Sequence, residues 1–267
     1  MSATATQSSV EWSRPGRSEF QERGFLVERG ALAPETIAHL RRRLDDAAKS
    51  PPSSQVLFTH RPPPPGRRPM SALMDQWFGR LQTDDAGGAL LARLRTVLLG
   101  VTGLEMTPFQ DVALRKGAHH APFPWHQDAP FWPIGSYAGA VVWIPLDSVD
   151  ESNGAVWLAA GSHRASAQPA VDLHSGTLQD GSGEFVVVGE PCCRRLDPGD
   201  VLVFDAWCAH RSGINLSPSN RRAWAVSWTD ARARWDHARA PRHPLNSFTT
   251  DHGEVRTWSN TRYLFEG

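Results

Sequence analysis

The chain has 267 residues, with 28 basic and 28 acidic side chains, so its formal net charge is zero. This balance argues against a nucleic-acid-binding protein, which carries a basic face and a high pI. No stretch approaches the roughly 20 apolar residues that span a bilayer. Three cysteines, two of them adjacent, form neither a disulfide framework nor a zinc knuckle. We therefore expect a cytoplasmic protein with reduced thiols, a monomer or homodimer that binds neither nucleic acid nor membrane.

The first part of the chain predicts a helical layer. Residues 1–16 are polar and start without the apolar run of a signal peptide, so we expect them to be disordered. Residues 17–104 are expected to form helices and a loop. An apolar G-F-L segment precedes Pro34, a residue favoured at helix starts. The helical spacing that follows is carried by Ile37, Leu40 and Leu44.

Two further elements are predicted before residue 105. The proline-rich stretch at 50–70 breaks the helical pattern and indicates a long loop. Residues 89–99 then show the apolar spacing of a helix, and Gly100 is expected to end it.

After residue 105 the pattern changes to short apolar runs bounded by Gly, Pro, Asp or Asn. The runs are 112–114, 138–145, 155–158, 185–188, 201–204 and 223–228. Several short strands at such spacing favour a sandwich or barrel over alternating βαβ units. The sequence thus predicts one domain over 1–267, with a β core at 105–230 and an irregular tail at 231–267.

The sharpest chemical feature is the segment Trp125-His126-Gln127-Asp128. Residues i and i+2 of an extended segment point the same way, so His126 and Asp128 can reach one point. One imidazole and one carboxylate are two thirds of the 2-His-1-carboxylate set that holds non-heme Fe(II). His210, after the apolar run 201–204, is the best candidate for the third ligand.

Other histidines are weaker candidates for metal binding. His252 and Glu254 repeat the His-x-carboxylate spacing, but they lie in the tail with no strand and histidine after them. His119 and His120 lie beside the first motif in a Gly/Ala/Pro loop, where we expect neither to bind metal. At most one of these two is expected to touch a substrate.

Several short motifs occur in a fixed order between residues 105 and 228. They are W-H-Q-D at 125–128, N-G-A-V at 153–156, G-S-H at 161–163, P-G-D at 198–200, and H-x-S-G-x-N-x-S from His210. An arginine, Arg221, follows His210 by eleven residues. With these motifs the sequence resembles the phytanoyl-CoA dioxygenase family of Fe(II)- and 2-oxoglutarate-dependent oxygenases.

The resemblance implies a mainly β fold with N-terminal helices around a double-stranded β-helix, the cupin-like jelly roll. It implies that His126, Asp128 and His210 are catalytic ligands of Fe(II), with 2-oxoglutarate as cosubstrate and O2 as the oxidant. Residues matching the family's cosubstrate pocket are Arg221, Ser212, Trp143 and Gln110. A guanidinium fork suits the distal carboxylate of 2-oxoglutarate, and strand alternation points the neighbouring Arg222 the other way.

The resemblance also implies a reaction class. We expect hydroxylation of an aliphatic carbon of a small molecule, a secondary metabolite or amino-acid derivative, in a biosynthetic role. A fatty-acyl or isoprenoid hydroxylase is an alternative, as are a non-catalytic jelly-roll binding protein and a zinc-dependent isomerase or hydrolase. Related halogenases replace the carboxylate ligand with a small residue, so Asp128 argues against halogenation.

The substrate pocket is expected to be aromatic. Its candidate walls are residues 130–132, 50–70 and 70–78, together with Trp235 and His237 of the tail. Eleven tryptophans against two tyrosines are unusual, and seven of them lie between residues 125 and 228. Those expected nearest the metal are Trp125, Trp132, Trp143 and Trp207.

Overall fold

The computed structural model describes residues 14–51, 73–79, 85–135, 138–173, 177–241, 243, 245–246 and 249–255. Three α-helices and ten strands lie within these residues. The helices are α1 (Arg14–Arg23), α2 (Pro34–Ala47) and α3 (Asp85–Thr102). The strands are β1 (Phe25–Glu28), β2 (Asp75–Phe78), β3 (Met106–Lys116), β4 (Phe123–His126), β5 (Gly139–Pro145), β6 (Val156–Ala160), β7 (Glu190–Cys193), β8 (Val201–Asp205), β9 (His210–Ser212) and β10 (Arg221–Asp230).

The strands form two antiparallel sheets. The larger has the order β1-β8-β5-β10-β3-β2, and the smaller has the order β4-β9-β6-β7. Consecutive strands alternate between the sheets along much of the chain, which is the connectivity of a double-stranded β-helix. The predicted jelly-roll core is therefore confirmed.

Two apolar clusters lie on opposite faces of the larger sheet. The cluster between the sheets contains Phe109, Val141, Leu158 and Phe204. The other lies under the helices, where side chains of α2 and α3 cover the outward residues of the sheet such as Ile144. Alternate residues of each strand therefore pack in different clusters, because successive side chains of a pleated strand point to opposite faces of the sheet. The space between the sheets is the interior in which a site can be built.

The two helices predicted from periodicity are present, with one boundary corrected. Helix α2 begins at Pro34 as predicted, and Ile37, Leu40 and Leu44 are buried. Helix α3 continues beyond Gly100 and ends at Thr102, so the prediction that Gly100 ends it is wrong. The terminator is Gly103, whose φ of 72° is left-handed and whose N–H donates to Leu99 O at 2.9 Å.

Other sequence-based boundaries also change. The run 185–188 is not a strand, and Val186 and Val188 are 61% and 48% exposed. Strand β7 lies just after it at Glu190–Cys193. Helix α1 begins at Arg14, inside the segment expected to be disordered, while residues 1–13 and the loop residues 52–72 lie outside the described part of the chain.

Five strands were not predicted: β1, β2, β4, β7 and β9. Each has only three or four residues. Such segments are too short to show a period of their own, and pairing with longer neighbours defines them. All three cysteines are free, as their number predicted. No helix in the described ranges is long and apolar enough to cross a membrane.

Candidate metal centre

His126, Asp128 and His210 lie together between the two sheets. Strands β4 and β9 are antiparallel neighbours in which His126 is directly opposite His210, and the ring centroids are 4.1 Å apart. Asp128 follows in a turn anchored by its N–H, which donates to Ala206 O at 3.0 Å. Its Oδ1 lies 3.5 Å from His126 Nε2 and 3.7 Å from His210 Nε2. One ligand atom from each residue lies within 4.8 Å of the others.

Backbone carbonyls set the orientation of both imidazoles. His126 Nδ1 lies 2.9 Å from Pro124 O, and His210 Nδ1 lies 3.0 Å from Cys208 O. A carbonyl only accepts, so each Nδ1 carries the proton and each Nε2 keeps its lone pair for a metal. A backbone acceptor behind the ligating histidine is the arrangement that fixes tautomer and ring orientation at metal sites.

Burial and mutual contact shift the pKa values of His210 and Asp128. Burial, and after it the adjacent His126, lower the pKa of His210 to about 4, against the opposing effects of the Asp128 carboxylate and the Cys208 carbonyl. Burial raises the pKa of Asp128, but the two histidines outweigh this and hold the pKa below its usual value. Neutral imidazoles and an ionised carboxylate are the protonation states that bind a divalent cation.

Arg221 enters the same interior from the larger sheet. It begins β10 and its side chain is 1% exposed, with Nη2 donating to Gly154 O at 3.2 Å. Its guanidinium carbon lies 5.3 Å from the centre of the Trp143 ring. Nε and Nη1 have no hydrogen-bond partner among the described residues. Burial lowers the pKa of Arg221 to about 10, against the pull of Asp147.

The unpaired N–H groups of Arg221 bear on which ligand the site can accept. Buried donors are almost always satisfied, so two unpaired ones on one guanidinium indicate a missing anionic acceptor. A carboxylate matches that fork in shape and charge. The site therefore fits a metal held by His126, Asp128 and His210, with an anion at Arg221.

The remaining predicted pocket residues are also on the inner faces. Ser212 is two residues after His210 on β9, and its hydroxyl oxygen accepts from Lys116 Nζ at 3.3 Å. Gln110 lies on β3, where its Oε1 is 3.2 Å from His243 Nε2. His243 Nδ1 accepts from the Leu245 N–H, so its Nε2–H donates to Gln110. The tail thereby fixes the orientation of the Gln110 amide.

One buried residue, Lys116, was missed by sequence reasoning. It ends β3 and is fully buried beside Arg221, its partner in the β-ladder. The available signal was its rarity, since the chain has only two lysines among 28 basic residues. That lysine is rare in this chain does not show that the Lys116 side chain lies between the two sheets.

The alternatives set aside in the sequence lie elsewhere. Arg222 points outward and pairs with Asp147 at 2.8 Å, as strand alternation predicted. His252 is exposed and its near neighbour is Asp251. The triad of His126, Asp128 and His210 is the one group of three potential ligands in the described part of the chain.

The predicted aromatic walls are partly rearranged. Trp132 and Trp235 belong to the cluster between the sheets, with Leu73, Met74 and Phe78 of the predicted 70–78 wall. The rings in contact with the two histidines are phenylalanines, namely Phe123, Phe131 and Phe204. Trp125 lies on the alternate face of β4 from His126, where its ring packs on the Arg211 guanidinium at 5.4 Å.

A jelly roll that brings two histidines and a carboxylate to one point defines a class of mononuclear metal proteins. The chain belongs to the phytanoyl-CoA dioxygenase (PhyH) family, whose model matches residues 20–223. A curated relative, the dioxygenase lolE1 of Epichloe uncinata, is 27% identical over 129 residues. That match covers 48% of this chain and 48% of the relative, so the chain spans about half the relative's length.

Solved structures share the fold at low identity. The carbocyclase SnoK from nogalamycin biosynthesis has a TM-score of 0.71 at 17% identity, over 92% of this chain and 94% of its own. The epimerase SnoN, in complex with Fe3+, alpha ketoglutarate and nogalamycin RO, has a TM-score of 0.64 at 19% identity, over 83% and 85%. EctD from S. alaskensis, with 2-oxoglutarate and 5-hydroxyectoine, has a TM-score of 0.64 at 17% identity, over 84% and 78%.

Proposed function

We propose that this protein is an Fe(II)- and 2-oxoglutarate-dependent oxygenase that hydroxylates an aliphatic carbon of a small secondary metabolite or amino-acid derivative. The observation that carries the proposal is the combination of the His126, Asp128 and His210 triad with the unpaired guanidinium of Arg221 in the same interior. A zinc hydrolase or isomerase on this barrel needs no buried arginine for a dicarboxylate. A binding protein that had lost turnover would not be expected to keep both.

Each protein group has a separate task in the proposed reaction. When bound, ferrous iron and 2-oxoglutarate supply the oxidative chemistry, which consumes O2 and releases succinate and CO2. His126, Asp128 and His210 would hold the iron, and a 2-His-1-carboxylate set of this kind leaves coordination positions open. Arg221 holds the distal carboxylate of 2-oxoglutarate, with Ser212 beside it and Trp143 against the guanidinium. Gln110, oriented by His243, is assigned to the same pocket.

The surrounding apolar side chains keep water out of the reaction. Phe123 and Phe204 pack against the two ligand histidines with ring-centroid distances of 5.1 and 4.7 Å. A dry surrounding strengthens the electrostatic contacts and limits side reactions of the activated oxygen. The substrate is expected to lie against Phe131, Trp132 and Trp235, so a compact molecule with apolar and polar parts fits best.

The type of oxidation has one specific competitor. Among proteins of this fold, SnoK is described as a carbocyclase and SnoN as an epimerase. Both are described as non-heme, alpha ketoglutarate dependent enzymes from nogalamycin biosynthesis. We therefore hold ring closure or epimerisation as the second candidate, with a fatty-acyl or isoprenoid hydroxylase behind it.

The experiment for the proposed function is an anaerobic titration. Protein with Fe(II) and 2-oxoglutarate should show a weak visible charge-transfer band, and admission of oxygen should yield succinate. Mass spectrometry of a small-molecule panel then distinguishes a gain of one oxygen from a loss of two hydrogens or an unchanged mass. A protein that gives neither band nor succinate with any of the panel is not an oxygenase of this kind.

A further inference from the structure

The turn between β8 and β9 contacts both of the segments that contain the candidate metal ligands. It consists of residues 205–208, and its first residue, Asp205, ends β8. Three successive carbonyls of this turn, those of Ala206, Trp207 and Cys208, accept hydrogen bonds from these segments. A turn that is bonded to both segments can fix their relative position.

The first two carbonyls hold the segment around Asp128. The Ala206 carbonyl accepts from the N–H of Asp128 at 3.0 Å and from the N–H of Ala129 at 3.1 Å. The Trp207 carbonyl accepts from Nε2 of Gln127 at 2.8 Å. The Gln127 side chain is 2% exposed, so water has little access to this hydrogen bond. The residues on both sides of Asp128 are therefore anchored to one turn.

The third carbonyl holds a ligand side chain directly. The Cys208 carbonyl lies 3.0 Å from Nδ1 of His210, and this acceptor leaves Nε2 free for a metal. Contacts of this kind orient ligating histidines at metal sites. A shift of the turn would therefore move the His210 ring and the Asp128 backbone together.

One side chain, Asp205, stabilises the turn itself. Its Oδ1 accepts from the Trp207 N–H at 2.8 Å, and its carbonyl accepts from the Cys208 N–H at 2.8 Å. An aspartate that accepts from the backbone two residues further on forms an Asx turn. Neither carboxylate oxygen has a hydrogen bond to a candidate ligand in the described part of the chain, so metal binding as assigned does not account for Asp205.

The surroundings of Asp205 are unfavourable for a charge. Burial raises the pKa of its carboxyl to about 6, and the Trp207 N–H opposes this rise only in part. No ion pair between Asp205 and a basic side chain is present within the described ranges. Because a buried carboxylate without a cationic partner is costly, stability alone does not explain an aspartate at this position.

We propose that Asp205 is a positioning residue for the metal centre and acts through the turn 205–208. Its carboxylate holds the Trp207 N–H, and the carbonyls of the same turn then keep Asp128 and His210 at the spacing that a metal requires. This inference rests on the proposed function, because it takes the triad to bind a divalent metal. It goes beyond that function, since Asp205 is not one of the ligands.

Two substitutions separate the acceptor oxygen of Asp205 from its charge. Asp205→Asn keeps an oxygen that can accept the Trp207 N–H and removes the charge, whereas Asp205→Ala removes the acceptor. Asp180→Ala is the matched control, because Asp180 Oδ1 accepts from the Ser182 N–H at 2.9 Å, also two residues further on. Both Asp180 and Ser182 are exposed, and the hydrogen bonds of this carboxylate in the described part of the chain are to Ser182.

The test is an anaerobic titration of each metal-free protein with Fe(II) and, as a spectroscopic probe of ligand geometry, with Co(II). We expect Asp205→Ala to bind both metals about tenfold to a hundredfold more weakly, with shifted Co(II) absorption bands, because the ligands no longer converge. Asp205→Asn should bind within about threefold of wild type with unchanged bands, since its oxygen restores the turn. Asp180→Ala should match wild type throughout.

Thermal unfolding of the metal-free proteins distinguishes positioning from stability. A lower Tm in Asp205→Ala with wild-type metal affinity and wild-type Co(II) bands would show a purely structural aspartate and overturn the inference. Equal weakening in Asp205→Asn and Asp205→Ala would assign the effect to charge and overturn the route through the turn.

A variant that does not fold leaves a second one to decide. If Asp205→Ala fails to fold, Asp205→Ser takes its place, because a serine hydroxyl accepts such an N–H more weakly. Unchanged metal affinity and unchanged bands in Asp205→Ser would then contradict the inference. A wild-type protein that binds neither metal overturns the proposed function itself, whereas a wild-type protein that binds both and is unaffected by Asp205→Ala overturns this inference alone.

Discussion

At the scale of single residues, the candidate site is defined by which atoms face one another inside the fold. Both imidazoles direct Nδ1 to a backbone carbonyl and leave Nε2 facing Asp128, while Arg221 and Lys116 lie buried on the adjoining sheet. In the proposed function, metal binding and cosubstrate binding are therefore assigned to different residues. Substitutions should be able to separate them.

His126→Ala should abolish tight iron binding, because it removes one of three ligands. Arg221→Ala should leave iron binding intact and weaken 2-oxoglutarate about a hundredfold, the typical value of a buried bidentate contact. Iron content and the anaerobic 2-oxoglutarate titration measure the two effects. His252→Ala, at the exposed tail histidine, is the matched control. Normal iron occupancy in His126→Ala would show that the ligand is assigned wrongly.

Lys116 should make the stability of the unliganded protein depend on pH. Burial, with help from Arg221, lowers the pKa of Lys116 from 10.5 to about 7. The unfolded chain therefore holds one more proton than the folded chain between these values. The free energy of unfolding should rise with pH across that window by up to about 1.4 kcal/mol per unit.

Urea denaturation from pH 7 to 9.5 measures this dependence, and Lys116→Met removes it. The difference between the two proteins isolates Lys116 from its charged neighbours, which are Arg221 on β10, His120 in the β3–β4 loop, and the paired Asp75 on β2. A difference that stays constant over this range would contradict the prediction.

At the scale of elements, single residues determine where a helix ends and how neighbouring strands and loops are held together. Asn215, in the motif after His210, is fully buried, and its Nδ2 lies 3.0 Å from both Lys116 O and Gly117 O. These hydrogen bonds hold the loop before β10 against the end of β3. Asn215 thus holds the end of β3 against the loop before β10 and is not itself one of the proposed ligands.

Helix α3 offers a matched pair of glycines. Gly100→Ala, at an exposed position in the helix, should stabilise the protein by roughly 0.5–1 kcal/mol. Gly103→Ala should destabilise it by about 1–2 kcal/mol, because φ is +72° and the new Cβ would collide with the Arg17 guanidinium. Denaturant midpoints measure both. The same sign for both variants would mean that the terminator is misplaced.

At the scale of the whole molecule, the site joins the two sheets. The metal ligands come from β4, the turn after it and β9 on the smaller sheet, whereas Arg221 comes from β10 on the larger. A ligand that bridges metal and arginine therefore connects the two halves of the sandwich. Its binding energy should appear as global stability.

Anaerobic Fe(II) with 2-oxoglutarate at about 100 times its Kd should add about 2.7 kcal/mol and raise Tm by roughly 5–10 °C. A chelator should reverse the shift. Arg221→Ala should respond to the metal but lose most of the increment from 2-oxoglutarate, whereas Lys49→Met, at a surface lysine paired with Asp46, should behave as wild type. Differential scanning fluorimetry provides the measurement, and an increment that survives in Arg221→Ala would contradict a bridge between the sheets.

The amino-acid sequence alone predicts the class of fold and the residue types of the candidate site. His126 and Asp128 are two residues apart in an extended segment, so their convergence is a local property that spacing reveals. Pro34 and the apolar spacing after it define α2 for the same reason. Ordered motifs then supplied His210 and Arg221 through the family resemblance.

Which distant residues become neighbours is seen in the folded chain and not in the sequence. The register of β4 on β9 places His126 opposite His210, and that of β3 on β10 places Lys116 opposite Arg221. The short strands β1, β2, β4 and β9 likewise exist through their partners. Strand pairing between residues far apart in the chain depends on the packing of whole sheets. It cannot be predicted from the hydrophobic pattern of a few neighbouring residues. The second cation of the pocket is visible for that reason only in the folded protein.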